Sequence, residues 1–321
     1  MRVTRRVTTG AGIVAVAAVT VAAIALADGP DSQSAAGKSV APAASQPAPL
    51  PDTHRAYLGI YAAPAPESYT GVTAFAAATG VSPGLVVYYS GWQEPFQVSF
   101  AAAVLRHHAI PLVQIDPTGI SVSAIAAGRY DDYLRSYASA VKAFGARVIL
   151  SFGHEMNGYW YSWSHRHASP TAFVAAWRHI VTVFRQQGAG NVTWLWTVNI
   201  IDKRSGIPSP ARWWPGDSYV NWVGIDGYYF KPAWTFASLF GPTIKAIRAL
   251  TLDPVLITEV AASPAAGQPA KIADLVAGVR AYGLLGFVWF DANKKRHWRL
   301  SSPAAFAAYH RAASSLTRPR S

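Results

Sequence analysis

The sequence predicts an α/β protein folded as a (β/α)₈ barrel, the TIM-barrel architecture, in a single domain. Three observations predict this fold. Short, nearly continuous apolar runs recur from Tyr57 onward, as expected for parallel strands buried on both faces. Helical patterns lie between most of these runs. The repeating part is about 260 residues long, near the usual ~250 for this barrel.

An open doubly wound sheet is the alternative arrangement of alternating strands and helices. That fold normally carries a glycine-rich phosphate-binding turn after its first strand. Here the first apolar run continues as Gly59-Ile-Tyr-Ala-Ala-Pro64, which is not such a turn. The barrel is therefore favoured.

Eight strands are predicted from the apolar runs. They are Tyr57–Tyr61, Leu85–Tyr89, Pro111–Ile115, Val148–Phe152, Val192–Thr197, Trp222–Ile225, Val255–Thr258 and Gly286–Phe290.

Two helices have the clearest patterns. Ser169–Gln187 begins with a capping serine followed by Pro170, which suits the first turn of a helix. Tyr130–Phe144 carries a similar apolar stripe. The stretch between Thr197 and Trp222 is proline-rich and predicts little helix.

The first 54 residues predict export rather than a folded domain. Residues 1–27 contain three arginines, an uncharged apolar run and a closing Ala-x-Ala, which is the pattern of a secretory signal peptide. The run over residues 7–27 is also long enough to serve as an uncleaved membrane anchor. Residues 28–54 are rich in Ala, Pro and Ser and predict a disordered linker. The barrel domain is then residues 55–321, and the protein is expected outside the cell.

Composition excludes several classes of site. The 321 residues include no cysteine, which excludes disulfides, thiolate metal sites and cysteine nucleophiles. The net charge is +12, but the Lys and Arg are scattered and no nucleic-acid motif accompanies them. A basic exported protein is the favoured interpretation, and nucleic acid is not expected as a partner.

Polar residues directly follow several predicted strands, and two of them are glutamates. Glu155 follows the fourth strand and Glu259 follows the seventh. Because the carboxyl ends of barrel strands meet at one mouth, these two side chains are expected to face each other. A pair of carboxylates across a bond is the machinery of glycoside hydrolysis. We expect a raised pKa for the acid of the pair, from an apolar setting and the neighbouring carboxylate.

A metalloprotease is excluded for the His154-Glu155 pair. That chemistry needs a helical His-Glu-x-x-His, and the position four after His154 is Gly158. No other His/Asp cluster has the spacing of metal ligands. We therefore expect neither a metal nor a cofactor.

The segment His154-Glu-Met-Asn-Gly-Tyr-Trp160 resembles the acid/base motif of glycoside hydrolase family 26, a group of retaining (β/α)₈ enzymes best known as β-mannanases. Leu256–Val260 resembles the nucleophile strand of that family, and Gly224–Tyr228 and Phe287–Lys295 resemble its sixth and eighth strands. The resemblance implies that Glu155 is the acid/base and Glu259 the nucleophile.

The resemblance also implies roles for the surrounding residues. His154 would orient the acidic cluster, Tyr228 would donate a hydrogen bond to Glu259, and Asp226 would support the pair. Trp160 and Trp289 would wall the subsites beside the scissile bond. The full set expected to surround and bind the substrate is His154, Asn157, Trp160, Tyr228, Trp289, Trp92 and Asp226.

The expected function is a secreted, retaining endo-β-glycanase acting on a polysaccharide, with β-1,4-mannan as the first substrate. Mixed-linkage β-glucan and β-1,3-xylan are the alternatives within the family. A non-catalytic polysaccharide-binding or wall-associated protein is the alternative from another class. A monomer is expected, with a membrane contact only if the N-terminal segment stays uncleaved.

Overall fold

Eight parallel strands form a closed barrel in chain order in a computed structural model that describes residues 56–293 and 296–316. The strands are β1 (Tyr57–Ala62), β2 (Leu85–Gly91), β3 (Ile110–Asp116), β4 (Val148–Phe152), β5 (Val192–Asn199), β6 (Trp222–Asp226), β7 (Val255–Val260) and β8 (Gly286–Asp291). Strand β1 pairs with both β2 and β8, which closes the ring. The predicted fold class is confirmed.

Helices surround the barrel in the described part of the chain. They are α1 (Thr70–Thr79), α2 (Val98–Arg106), α3 (Val122–Ala126), α4 (Asp131–Phe144), α5 (Pro170–Gln186), α6 (Phe236–Arg248), α7 (Gln268–Ala281) and α8 (Pro303–Leu316). The side chain of Ser169 accepts a hydrogen bond from the backbone N–H of Ala172, so it caps α5 as predicted. Between β5 and β6 the chain forms only two short 3₁₀ turns, which agrees with the weak helical pattern there.

The barrel interior is layered from its floor to its mouth. The floor is one apolar cluster contributed by seven strands: Leu85, Val87, Leu112, Ile149, Leu195, Trp222, Leu256 and Val288. Above it lies a polar layer, where the hydroxyls of Ser151 and Thr197 are 3.0 Å apart and Gln114 and Thr258 are fully buried. Because inward-facing side chains alternate along a strand, the next inward positions reach the mouth.

Strand β7 contains one residue more than its neighbours require. Ile225 pairs with Ile257, but the next pair is Asp226 with Glu259. On the other side, the four residues of β7 from Ile257 to Val260 lie opposite only three residues of β8, Phe287 to Trp289. This extra residue is a β-bulge, which re-aims the side chains that follow it.

The sequence-based boundaries of residues 1–27 and 28–54 lie outside the described residues. Within 56–293 and 296–316, no helix has both the length and the apolar character needed to cross a bilayer.

Candidate active site

The two glutamates lie at the barrel mouth on opposite sides of the ring. Glu155 follows β4 after a turn at Gly153, where φ is +56° and an added Cβ would lie 2.9 Å from the Phe173 ring. Glu155 itself has φ of +54°, an uncommon conformation for a residue with a side chain. Its backbone N–H donates to the carbonyl of Thr197 on β5 at 3.0 Å. This bond fixes the carboxylate relative to the barrel.

Both oxygens of the Glu155 carboxylate accept hydrogen bonds. The side-chain amide of Asn199 donates to Oε1 at 2.5 Å, and the indole N–H of Trp160 donates to Oε2 at 2.8 Å. Glu155 is 6% exposed, whereas Trp160 is 41% exposed and presents its ring to solvent beside the carboxylate. Trp160 thus lies beside Glu155, and its predicted role as a wall of the neighbouring subsite stays a prediction.

Both oxygens of the Glu259 carboxylate are also held. The hydroxyl of Tyr89 donates to Oε1 and the hydroxyl of Tyr228 donates to Oε2. The contact from Tyr228 is the one that the sequence resemblance implied. The contact from Tyr89 on β2 was not predicted.

Asp226 brings a third carboxylate to the same place. One carboxylate oxygen from each of Glu155, Asp226 and Glu259 lies within 4.8 Å of the other two. Asp226 is fully buried, and its Oδ1 accepts a hydrogen bond from the Thr258 hydroxyl at 2.6 Å. Three carboxylates at this distance have the donor atoms to hold a cation. Here, however, neutral N–H and O–H donors already bind all four oxygens of the two glutamates.

The pKa values of two of these carboxyl groups, Glu155 and Asp226, are raised. Burial and the negative charge of Glu259 raise the pKa of Glu155 from its ordinary 4.5 to about 7, against the opposing effect of His154 and the two donors. This agrees with the raised pKa expected from the sequence. Burial and the charges of both glutamates also raise the pKa of Asp226 well above 3.8, which favours its neutral form.

His154 lies behind Glu155 as a buried cation. Its Nδ1 is 2.9 Å from Oδ1 of Asp116, and its Nε2 is 3.1 Å from the hydroxyl of Tyr161. Burial alone would lower the pKa of His154, but Asp116 and the two glutamates raise it to about 10. A protonated imidazole donates from both nitrogens, so His154 supplies positive charge close to the carboxylates.

Three residues that were expected to contact substrate do not face the cleft in the structure. The indole of Trp289 is fully buried and packs against Tyr309 of α8, 6.2 Å between ring centroids. Trp289 therefore faces the helices, and its predicted subsite role is wrong. Asn157 is also fully buried, and it exchanges hydrogen bonds with the backbone N–H and C=O of Asn199 at 2.9 Å each. It braces Asn199 instead of facing the cleft.

Asp226 is the third of these residues. Because it has no exposed surface, it lies beneath the glutamates and makes no direct contact with the cleft. Its implied supporting position is what the structure shows. Trp92 is partly buried and packs against Tyr130, Tyr133 and Phe152, so its sugar contact stays a prediction.

Several aromatic residues at the barrel mouth were not identified from the sequence. Besides Tyr89 and Tyr161, they include Phe290 and Trp298, whose rings lie 5.9 Å and 4.7 Å from the ring of Tyr228. Phe290 lies two residues after the inward-facing Val288, so alternation along β8 could have identified it. Trp298 follows the strand by several residues and gives no local sequence signal.

The family model described as Glycosyl hydrolase family 26 matches residues 129–305. The chain belongs to this family. Its matched region includes both glutamates, His154, Trp160 and Tyr228. Tyr89 lies outside it.

Curated relatives agree with this membership, and a solved structure agrees with the barrel fold. The chain is 31% identical over 262 residues to Endoglucanase H of Acetivibrio thermocellus, covering 76% of this chain and 29% of that protein. It is 25% identical over 177 residues to Beta-1,3-xylanase TXYA of a Vibrio species, covering 50% and 36%. The chain thus spans about a third of the length of these curated relatives. The structure of a family 26 β-mannanase from Bacteroides ovatus superimposes with a TM-score of 0.62 at 16% identity, over 83% of this chain and 90% of that one.

Proposed function

We propose that this protein is an endo-acting β-glycan hydrolase that works with retention of configuration. The observation that carries the proposal is the spacing of Glu155 and Glu259, whose nearest carboxylate oxygens lie within 4.8 Å. Carboxyl groups of retaining glycosidases are about 5–5.5 Å apart, whereas inverting enzymes leave roughly 6.5–9.5 Å for a water molecule. The spacing therefore supports direct attack by one carboxylate.

The environments of the two groups support a division of labour. With a pKa of about 7, Glu155 carries a proton over the acidic and neutral range and can act as a general acid. Glu259 accepts one hydrogen bond on each oxygen, from the hydroxyls of Tyr89 and Tyr228, and these hold its carboxylate in position for attack.

In the first step an oxygen of Glu259 attacks the anomeric carbon. The bond from that carbon to the leaving oxygen breaks, and this oxygen takes the proton of Glu155. The products are a glycosyl ester on Glu259 and a departing sugar chain.

In the second step the oxygen of a water molecule attacks the anomeric carbon, and this water gives a proton to Glu155. The ester bond breaks and restores the Glu259 carboxylate. Esterified Glu259 is neutral, so the charge that raised the pKa of Glu155 is absent during this step. The pKa of Glu155 then falls, which keeps its carboxylate ionised and available to accept the proton of water.

For the substrate, β-1,4-mannan comes first because the strand-4 motif resembles this family. The names of the relatives add β-glucan and β-1,3-xylan, but each relative extends well beyond the matched region. A panel of the three polysaccharides, assayed by reducing ends, tests the activity and ranks the substrates.

Variants of the two glutamates test the assignment. Glu155→Gln is expected to lower turnover by about 10²–10⁴-fold on substrates with poor leaving groups. Glu259→Gln should abolish the glycosyl-enzyme. Glu67→Gln, at an exposed position, is the control. Near-normal turnover in either active-site variant would refute the assignment, and binding without products would favour a polysaccharide-binding protein.

Export and oligomeric state are separate proposals. N-terminal sequencing of the secreted protein tests cleavage after Ala27, and the expected monomer is testable by light scattering.

A further inference from the structure

We infer that Tyr89 is a second positioning residue for Glu259, and that it assists the departure of the Glu259 carboxylate in the second step. This inference rests on the proposed function, in which Glu259 is the nucleophile. Neither the family motif segments nor the matched region contains Tyr89. It is assigned from the barrel geometry alone.

The position of Tyr89 follows from alternation along β2. Leu85 and Val87 face the apolar floor of the barrel, and Tyr89 is the next inward residue. From there its hydroxyl crosses the mouth to Oε1 of Glu259 on β7. Tyr228 reaches the other oxygen from the opposite side. The carboxylate is thus held by one donor on each oxygen, which restricts its rotation.

The ring of Tyr89 is itself fixed by its neighbours. Tyr61 contacts it edge-on with ring centroids 5.0 Å apart, and the ring of His154 lies 5.7 Å away. Burial and the charge of Glu259 also raise the pKa of Tyr89 well above 10, so its hydroxyl keeps the proton that it donates. The donor is present over the whole working pH range.

The chemistry assigns this donor a greater effect on the second step. In the glycosyl-enzyme Glu259 is a neutral ester, and its hydrogen bonds are weaker than those to a carboxylate. When water attacks the anomeric carbon, the ester C–O bond breaks and its electron pair returns to Glu259. Negative charge develops on the carboxylate, and the Tyr89 hydroxyl stabilises that charge. Loss of the hydroxyl should therefore slow breakdown of the intermediate.

The test compares Tyr89→Phe with Tyr88→Phe. Tyr88 is the adjacent residue on the same strand, but its ring faces the helices and contacts Phe100 of α2. Both variants lose one tyrosine hydroxyl, and only the hydroxyl of Tyr89 contacts Glu259. Tyr228→Phe serves as the positive comparison.

The measurement is the lifetime of a trapped intermediate. Each protein is inactivated with a fluorosugar dinitrophenyl β-glycoside of mannobiose or cellobiose, freed of reagent, and followed by mass spectrometry and recovery of activity. Tyr89→Phe is expected to recover about tenfold more slowly than wild type, equivalent to ~1.4 kcal/mol. It should also show lower kcat and lower KM on an activated substrate, because the intermediate accumulates. Tyr88→Phe should match wild type.

The outcomes separate this inference from the proposed function. Recovery of Tyr89→Phe at the rate of Tyr88→Phe overturns the role of Tyr89 while leaving retention intact. A wild-type protein that hydrolyses glycans but never forms the adduct overturns retention itself. If Tyr89→Phe does not fold, fluorotyrosine at position 89 keeps the ring and strengthens the donor. Recovery should then be faster than in wild type, and unchanged recovery overturns the inference.

Discussion

Replacing Glu155 with glutamine should remove a loss of stability that the wild-type protein undergoes as pH rises from 5 to 8. In the wild type, Glu155 has a pKa of about 7 when folded against an ordinary 4.5. The folded state therefore binds this proton more tightly than the unfolded chain. The stability that Glu155 contributes is fully present below pH 4.5 and is lost as pH rises to 7. Glutamine does not titrate, so the variant avoids this loss.

The size of the effect follows from the two pKa values. Each pH unit of difference corresponds to about 1.4 kcal/mol. Between pH 5 and pH 8 the wild type should lose about 2–3 kcal/mol relative to Glu155→Gln. For a domain of this size that equals about 5–10 °C in melting temperature. Comparing the two pH values cancels any loss of stability that does not depend on pH. One such loss in the variant is the placement of the glutamine NH₂ against the N–H donors of Asn199 and Trp160.

The assay is urea unfolding of both proteins at pH 5 and pH 8, with Glu67→Gln as the control at an exposed site. The free energy of unfolding of Glu67→Gln should follow the wild-type pH dependence. If Glu155→Gln also follows it, the electrostatic account of Glu155 is wrong. The same result would remove the argument that Glu155 is protonated near neutral pH.

Three further outcomes are expected at the active site. The basic limb of the wild-type kcat/KM profile should lie near pH 7, because Glu155 must carry a proton to act as an acid. Asp116→Asn should move this basic limb to higher pH, because His154 then becomes neutral and no longer lowers the pKa of Glu155. A basic limb at the wild-type pH would contradict the charge assigned to His154. Trp160→Ala should reduce turnover about 10-fold or more with little change in unfolding free energy, whereas Trp289→Ala should lose about 3–5 kcal/mol of stability. Equal unfolding midpoints for these two tryptophan variants would contradict their placement.

The barrel was predictable because its strands are buried on both faces. Such strands are continuous apolar runs, which stand out from the amphipathic helices between them. All eight predicted strands are present, but most extend one or two residues further. The extensions take in Asp116, Asn199, Asp226 and Glu259, which sequence patterns place after the strands. A polar residue ends an apolar run, yet at a barrel mouth it still pairs with the neighbouring strand.

The placement of the two glutamates at the barrel mouth was predictable, but the direction of the aromatic side chains was not. Tyr88 and Tyr89 are adjacent, and one faces α2 while the other reaches Glu259. Trp289 and Phe290 are adjacent too, and the inward one is Phe290. In a strand buried on both faces, the inward-facing and outward-facing positions are equally apolar. The sequence therefore does not show which side chains face the barrel interior, and the register of the strands has to be known. Asn157 shows a different limit, because its partner Asn199 is 42 residues away in sequence.

The bulge in β7 has a consequence for how this site can change. Thr258 and Glu259 are consecutive, yet the first supports Asp226 and the second reaches the tyrosine hydroxyls. A regular strand would send one of the two outward. Because Leu256 faces the barrel floor, regular alternation would direct Thr258 inward and turn Glu259 away from the mouth. The orientation of Glu259 thus depends on the irregular pairing of β7 as well as on the identity of its residues, and a substitution that straightened the bulge would displace the carboxylate without changing any residue at the mouth.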